Sequence, residues 1–296
     1  MIKQGMKANF LKSVIFFSVI LFSSNLYATP IEVFVSILPQ KYMIERIGGD
    51  QVNVNVMVKP GQSPETFEPS PKMMSIYSHA NIYFTIGLPF EQVWIERVAS
   101  LNSSIIIAPT QLVAKSDISD EKVLNKNKHA HEHHDSQDPH TWLSPKLFLQ
   151  QAHIALQNLI DLSPENKQLF ANNYKLLAKE VNVLDEAVGK ALKLGHKQHF
   201  LTFHPAFSYF AQQYGLIQMT IEKNGREPSA KQIAQIINAV RGKNVQYILV
   251  EKQFNQQIPK TIAQSIGAEL LVIDPLALDY IVNMKDIADK IGKSLF

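Results

Sequence analysis

Short runs of β-branched and aromatic residues recur along this chain with helical stretches between them, and that alternation restricts the fold more than any other feature. Glu32–Ser36, Val52–Val58, Ile82–Thr85 and Ile105–Ala108 read as strands. Ser70-Pro71 offers an N-cap followed by Pro at the first helical position, and Pro89–Ser100 carries apolar residues at helical spacing. Strands separated by helices pair in parallel, and a parallel sheet must be covered on both faces. A second series follows the same rule. His199–Phe203, Leu216–Ile221, Gln246–Val250 and Glu269–Ile273 read as strands, with helices over Pro205–Tyr214, Ser229–Arg241 and Gln256–Ile266 and a last one from about Met284. Ser229 and Gln232 are spaced as a capping box.

Between the two series lie a helix from about Pro145 to Ile160 and a much longer one that Ser163-Pro164-Glu165 starts. Its apolar positions are Phe170, Tyr174, Leu177, Val181, Leu184, Val188 and Leu192, a 3.5-residue spacing that Gly195 ends. Roughly 30 residues at 1.5 Å each reach about 45 Å, more than the width of one small domain. A coiled-coil dimer would use the same stripe, but α/β units on both sides favour an intramolecular spine. The expected architecture is α/β: two lobes, each a parallel sheet flanked by helices, joined by one long spine helix. The lobes span 29–162 and 196–296, and the spine spans 163–195.

Charge points away from nucleic acid once its location is considered. The chain has 29 Lys+Arg against 26 Asp+Glu. Three of those lysines, Lys3, Lys7 and Lys12, precede the apolar run 13–22 and the small residue Ala28, the layout of a secretory signal peptide over 1–28. The run is too short for a membrane span, and cleavage is expected after Ala28. Without this leader the basic and acidic residues balance, so no basic nucleic-acid face is expected. The chain has no Cys, which removes thiol chemistry, disulfides and a lipidation site. A free periplasmic protein, not inserted in the membrane, is the expectation.

In open α/β sheets ligands bind beyond the carboxyl ends of the strands. Four polar segments sit there: Pro60-Gly-Gln-Ser-Pro-Glu65-Thr-Phe-Glu-Pro-Ser-Pro71, Asp138-Pro-His140-Thr-Trp-Leu-Ser-Pro145, His204-Pro205 and Asp274-Pro275. Two imidazoles and two carboxylates at such places are the donor types a divalent transition metal takes. A lone His is more often a hydrogen-bonded or surface residue, and Asp-Pro is often only a turn. The polar loop 126–138 adds His129, His131, His133 and His134, by composition a multivalent metal trap. His79, His153, His196 and His199 need no more than solvent or a hydrogen bond. Trp94, Trp142 and the stretch Phe203–Phe210 read as core or cleft wall, and Glu222, Arg226 and Glu227 as a solvated charged loop.

These four segments, in this order, resemble the metal loops of the periplasmic substrate-binding proteins that feed zinc or manganese to ABC importers, and the similarity runs over nearly the whole chain beyond the leader. The resemblance implies a spine helix between two α/β lobes, with His140, His204 and Asp274 as metal ligands between them. It also implies delivery of the ion to an inner-membrane ABC permease, by a protein that is not an enzyme. The first loop departs from the pattern, with Glu65 where the family usually has His. Either Glu65 coordinates directly, giving two imidazoles and two carboxylates, or it points away and water or a His of the 129–134 loop takes its place. Added oxygen character moves preference toward manganese or iron. Within the resembling family, His at the third position and a His-rich loop look like zinc importers, so Zn2+ is the expected cargo and Mn2+ the alternative. A monomer is the simplest carrier. A metal-dependent hydrolase would need a base near the ion, a part open to Glu65 or Glu222, but the chain has no HExxH helix or nucleophile elbow.

Overall fold

The computed structural model describes residues 29–70, 73, 77–111, 138–192, 197–222 and 228–296. Two four-stranded parallel sheets organise it. The first is built from β1 (Ile31–Val35), β2 (Val52–Val56), β3 (Ile82–Thr85) and β4 (Ile106–Pro109), in the order β2-β1-β3-β4. The second is built from β5 (His199–Thr202), β6 (Ile217–Thr220), β7 (Tyr247–Glu251) and β8 (Glu269–Ile273), in the order β6-β5-β7-β8. Every pairing is parallel. All eight runs that patterning identifies are strands, with ends displaced by at most two residues. In both sheets the chain reverses direction beside the first strand, so loops from neighbouring strands diverge there and leave room for a ligand.

Helices connect and cover the strands: α1 (Leu38–Gly48), α2 (Pro89–Leu101), α3 (Pro145–Leu162), α4 (Lys167–Leu192), α5 (Ser208–Tyr214), α6 (Ala230–Val240), α7 (Gln257–Ile266) and α8 (Tyr280–Ser294). Local chemistry sets their starts. Ser144 accepts the Leu147 N–H ahead of Pro145, Asp279 accepts the Val282 N–H, and Ser229 with Gln232 forms the expected capping box. Three boundaries differ from the sequence reading. The last helix begins at Tyr280, four residues before Met284, because the Asp279 cap sits there. The helix after His204 begins at Ser208, because Thr202 Oγ1 donates to the His204 carbonyl at 2.8 Å and holds the intervening residues in a turn. The long helix is preceded by a 3₁₀ turn at Pro164–Asn166. The helix expected from Ser70-Pro71 and the end of the spine near Gly195 fall largely outside the described residues.

The spine is α4, 26 residues or about 39 Å at 1.5 Å per residue. Its buried stripe is Phe170, Leu177, Val181, Leu184, Val188 and Leu192. These pack on α1 and α3 beside the first sheet and on α8 beside the second. One continuous core therefore runs from Val33 and Phe84 through the stripe to Phe200 and Leu249. A second core of Leu201, Phe203, Ile248 and Val250 fills the other face of the second sheet. Phe200 and Leu201, one residue apart, belong to different cores because strand side chains alternate faces.

The stripe makes a direct prediction from two adjacent leucines. Leu177 is fully buried and Leu176 is 59% exposed. Leu177→Ala should lower unfolding free energy by about 2–5 kcal/mol, whereas Leu176→Ala should change it by under about 0.5 kcal/mol. Urea denaturation of both variants checks this. Equal losses would mean that the buried face of the spine is misassigned.

Candidate metal centre

The first polar loop leaves β2 through a tight turn. Lys59 N–H bonds Gln62 Oε1 at 3.0 Å, Gln62 N–H bonds the Lys59 carbonyl at 3.1 Å, and Gly61 takes φ +82°, which a side chain would resist. The turn delivers Glu65. The second loop precedes α3 and folds around Asp138, whose Oδ1 accepts both the backbone N–H of His140 at 3.0 Å and its ring Nδ1–H at 2.6 Å. Ser208 donates to the other oxygen, Oδ2, from the start of α5. Trp142 is buried beside His140, and its indole N–H donates to the Pro275 carbonyl at 2.9 Å, tying this loop to the end of β8.

His204 follows directly from β5. Register places it between two carboxylates of neighbouring strands. Thr202 pairs with Thr220 of β6, so His204 lies level with Glu222; Thr202 also pairs with Leu249 of β7, so His204 lies level with Glu251. The Glu222 carboxylate accepts His204 Nδ1–H at 2.5 Å. Phe254 stacks on the imidazole at 5.0 Å between ring centres.

These loops bring three donor atoms together. Glu65 Oε1 is 2.6 Å from His204 Nε2 and 3.5 Å from His140 Nε2, and the two Nε2 atoms are 3.4 Å apart. A tetrahedral ion with bonds near 2.0–2.1 Å separates its donors by about 3.3 Å. Two of the three edges therefore already have close to that length, and the third, between His204 and Glu65, is shorter at 2.6 Å, a hydrogen-bond distance. Both imidazoles present Nε2 to the centre because Asp138 and Glu222 hold their Nδ1–H, the outer-shell arrangement that orients metal-ligating histidines. Ser63, Pro64, Trp142, Ala206, Phe254 and Leu276 complete a cavity of about 10 Å³, room for an ion and not for an organic substrate.

Charge is concentrated here. Burial works against charging His204, but its hydrogen bonds to Glu222 and Glu65 prevail and raise its pKa to about 10. His140 follows the same pattern: burial opposes the charge, while Asp138 and Glu65 raise the pKa. For Glu65 burial favours the neutral acid, yet the two imidazoles pull its pKa down to about 2. Glu251 is fully buried, its carboxylate has no hydrogen-bond partner on another residue among the described residues, and burial lifts its pKa to about 7.

Of the residues expected to bind metal, Glu65, His140 and His204 are the ones brought together, and they form a group able to hold an ion. Asp274 stands aside: Oδ2 faces Lys252 Nζ at 3.3 Å and Oδ1 accepts the Leu276 N–H at 3.1 Å. His129, His131, His133 and His134 lie outside the described residues. Glu222 corrects the sequence reading, being only 5% exposed and bonded to His204 rather than part of a solvated face. Glu251 drew no notice as the last residue of an apolar strand. Strand register, which brings both toward His204, is visible only in the folded chain.

Across residues 33–294 the sequence matches the family described as zinc-uptake complex component A, periplasmic. A crystal structure of ZnuA superposes with a TM-score of 0.78 at 34% identity, covering 90% of this chain and 99% of that one. The laminin-binding protein Lmb of Streptococcus agalactiae, described as an adhesin with metal-transporting activity, gives a TM-score of 0.75 at 26% identity over 89% of this chain and 99% of its own. The high-affinity zinc uptake system protein ZnuA of Bacillus subtilis is 26% identical over 90% of this chain and 88% of its length.

The shifted pKa values predict how the metal-free protein responds to pH. The folded pKa of His204, about 10, exceeds its unfolded value of about 6.5. Its stabilising contribution is complete below pH ~6.5 and lost as pH rises through about 10. Glu65 has the opposite sign: its contribution is present above pH ~4.5 and lost as pH falls through about 2. Melting curves recorded with a chelator should show Tm falling between pH 7 and 10, and His204→Gln should flatten that limb. A wild-type limb no steeper than the variant's would contradict the assignment.

Proposed function

The chain belongs to the family of periplasmic zinc-uptake complex component A proteins, and on that premise we propose that it captures Zn2+ in the cleft between its lobes and hands it to an inner-membrane ABC permease. The family consists of metal-binding transport proteins and not enzymes. The observation that carries the reading is the convergence of Glu65 Oε1, His140 Nε2 and His204 Nε2 within 3.5 Å of one another, each imidazole held from behind by a carboxylate.

Glu65 coordinates directly in this proposal, taking the place of the family's usual His. Asp274 supplies the fourth donor. Its contact with Lys252 is exposed, worth under about 1 kcal/mol, and is readily exchanged for a dication. Two imidazoles with two carboxylates suit zinc, and nitrogen donors disfavour the harder manganese ion. Zinc-binding names among the relatives support the same choice. The His-rich segment, with His129, His131, His133 and His134, is a secondary metal-binding site. The mature protein begins after Ala28, is free in the periplasm and acts as a monomer. Among the described residues no helix is long and apolar enough to cross a membrane.

Competition against a chelator, with zinc and with manganese, tests the reading on the mature protein. One tight zinc site should survive deletion of residues 129–134, and Glu65→Ala and Asp274→Ala should each weaken it by about tenfold or more. A zinc site lost with the loop, or tighter binding of manganese, would overturn it.

Ligating imidazoles must shed their protons. Zinc affinity should therefore rise steadily from pH 5 to 9, and the increase in Tm that zinc produces should grow over the range in which the metal-free protein weakens. A zinc increment independent of pH would exclude His204 and His140 as ligands.

A further inference from the structure

Glu251 closes β7 level with His204, on the side away from Glu222. It is fully buried, and neither carboxylate oxygen has a hydrogen-bond partner on another residue among the described residues; only its own backbone N–H lies close enough to act on it. Burying a carboxylate in this condition is costly, and an unsatisfied buried group in a folded protein calls for an explanation, a bound ion among them. The other buried acids illustrate the contrast. Glu91 is as deeply buried, yet it accepts from the N–H groups of Ile86, Gly87 and Leu88 and from Ser36. Glu222 has His204.

The groups that Glu251 does sense are those of the metal centre. His204 and His140 both interact with it electrostatically in the attractive sense and Glu222 in the repulsive sense. Gln253, two residues on, and Phe254 line the cavity. A divalent ion held by Glu65, His140 and His204 would be the strongest positive charge in this neighbourhood, acting across a protein interior that screens it less than water does.

We propose that Glu251 is an affinity-setting residue for the divalent cargo: an unpaired carboxylate beside His204 that destabilises the empty protein and is compensated when the ion enters. It does not touch the ion; it acts by charge, through the interior next to the ligating imidazole. The inference rests on the ion occupying the Glu65–His140–His204 centre.

Glu251→Gln and Glu251→Leu, both in the mature protein, separate this role from a structural one. Removing a buried carboxylate with no partner on another residue should raise the Tm of the metal-free protein above pH ~7, where the group is charged. The same change should weaken zinc binding by about 10–100-fold, the range for partners behind a metal ligand. Manganese binding should weaken by a similar factor, because charge acts on any dication. A lowered Tm with unchanged zinc affinity would make Glu251 a packing residue and overturn the proposal. So would zinc affinity within twofold of wild type in both variants, or a loss confined to one of the two ions. If wild type itself has no tight zinc site, the reading of the centre fails and this inference with it. If wild type binds tightly and the variants match it, only the role of Glu251 is lost.

Discussion

Glu65 and His204 meet at 2.6 Å although they follow strands of different sheets. Neither group could be buried there alone, since an isolated charge in such a place is too costly. Together, and with His140, they form a cluster in which each group's charge is justified by the others. Everything else positions that meeting. The turn at Gly61 aims the first loop, the Trp142 bond to the Pro275 carbonyl ties the second loop to the end of β8, and β5 carries His204 to the sheet edge. Behind them the spine helix α4 and the C-terminal helix α8 pack into one core with both sheets. Strain or slippage in that core would be felt at the centre as a change in donor separation.

The centre is set up for a cation before one arrives. Asp138 and Glu222 fix the imidazoles with Nε2 inward, so little rearrangement separates the metal-free geometry from a tetrahedral one. Ligating imidazoles must be neutral, so an ion held by this centre would compete with protons through the same hydrogen bonds that hold the metal-free site together. Glu251 adds a buried carboxyl group with no hydrogen-bond partner on another residue among the described residues.

The fold was largely legible because parallel strands buried on both faces are written as short β-branched runs and because caps such as Ser144 and Ser229 mark helix starts. Helix α1 was not located. It buries one face made of Pro39, Gln40, Met43, Ile44, Ile47 and Gly48, and with Gln40 and Gly48 on that face the apolar stripe is too short to stand out. Three of the four expected cleft ligands converge, since residues just after strand ends are where α/β sheets gather chemistry. What a single sequence hides is register. Glu222 sits in a polar stretch and Glu251 at the end of an apolar one, so composition gives opposite impressions of two acids that flank the same imidazole. Asp274 shows a further limit, because its backbone position after β8 is readable while the rotamer that turns it to Lys252 is a matter of local contacts.

Crystals of the zinc-loaded mature protein, with diffraction recorded on both sides of the zinc absorption edge, test the central claim most directly. The anomalous peak is expected between Glu65 Oε1, His140 Nε2 and His204 Nε2, at about 2.0–2.1 Å from each. A peak coordinated only by the histidines of the 129–134 loop, or one beside His140 and His204 with Glu65 turned away, would contradict it.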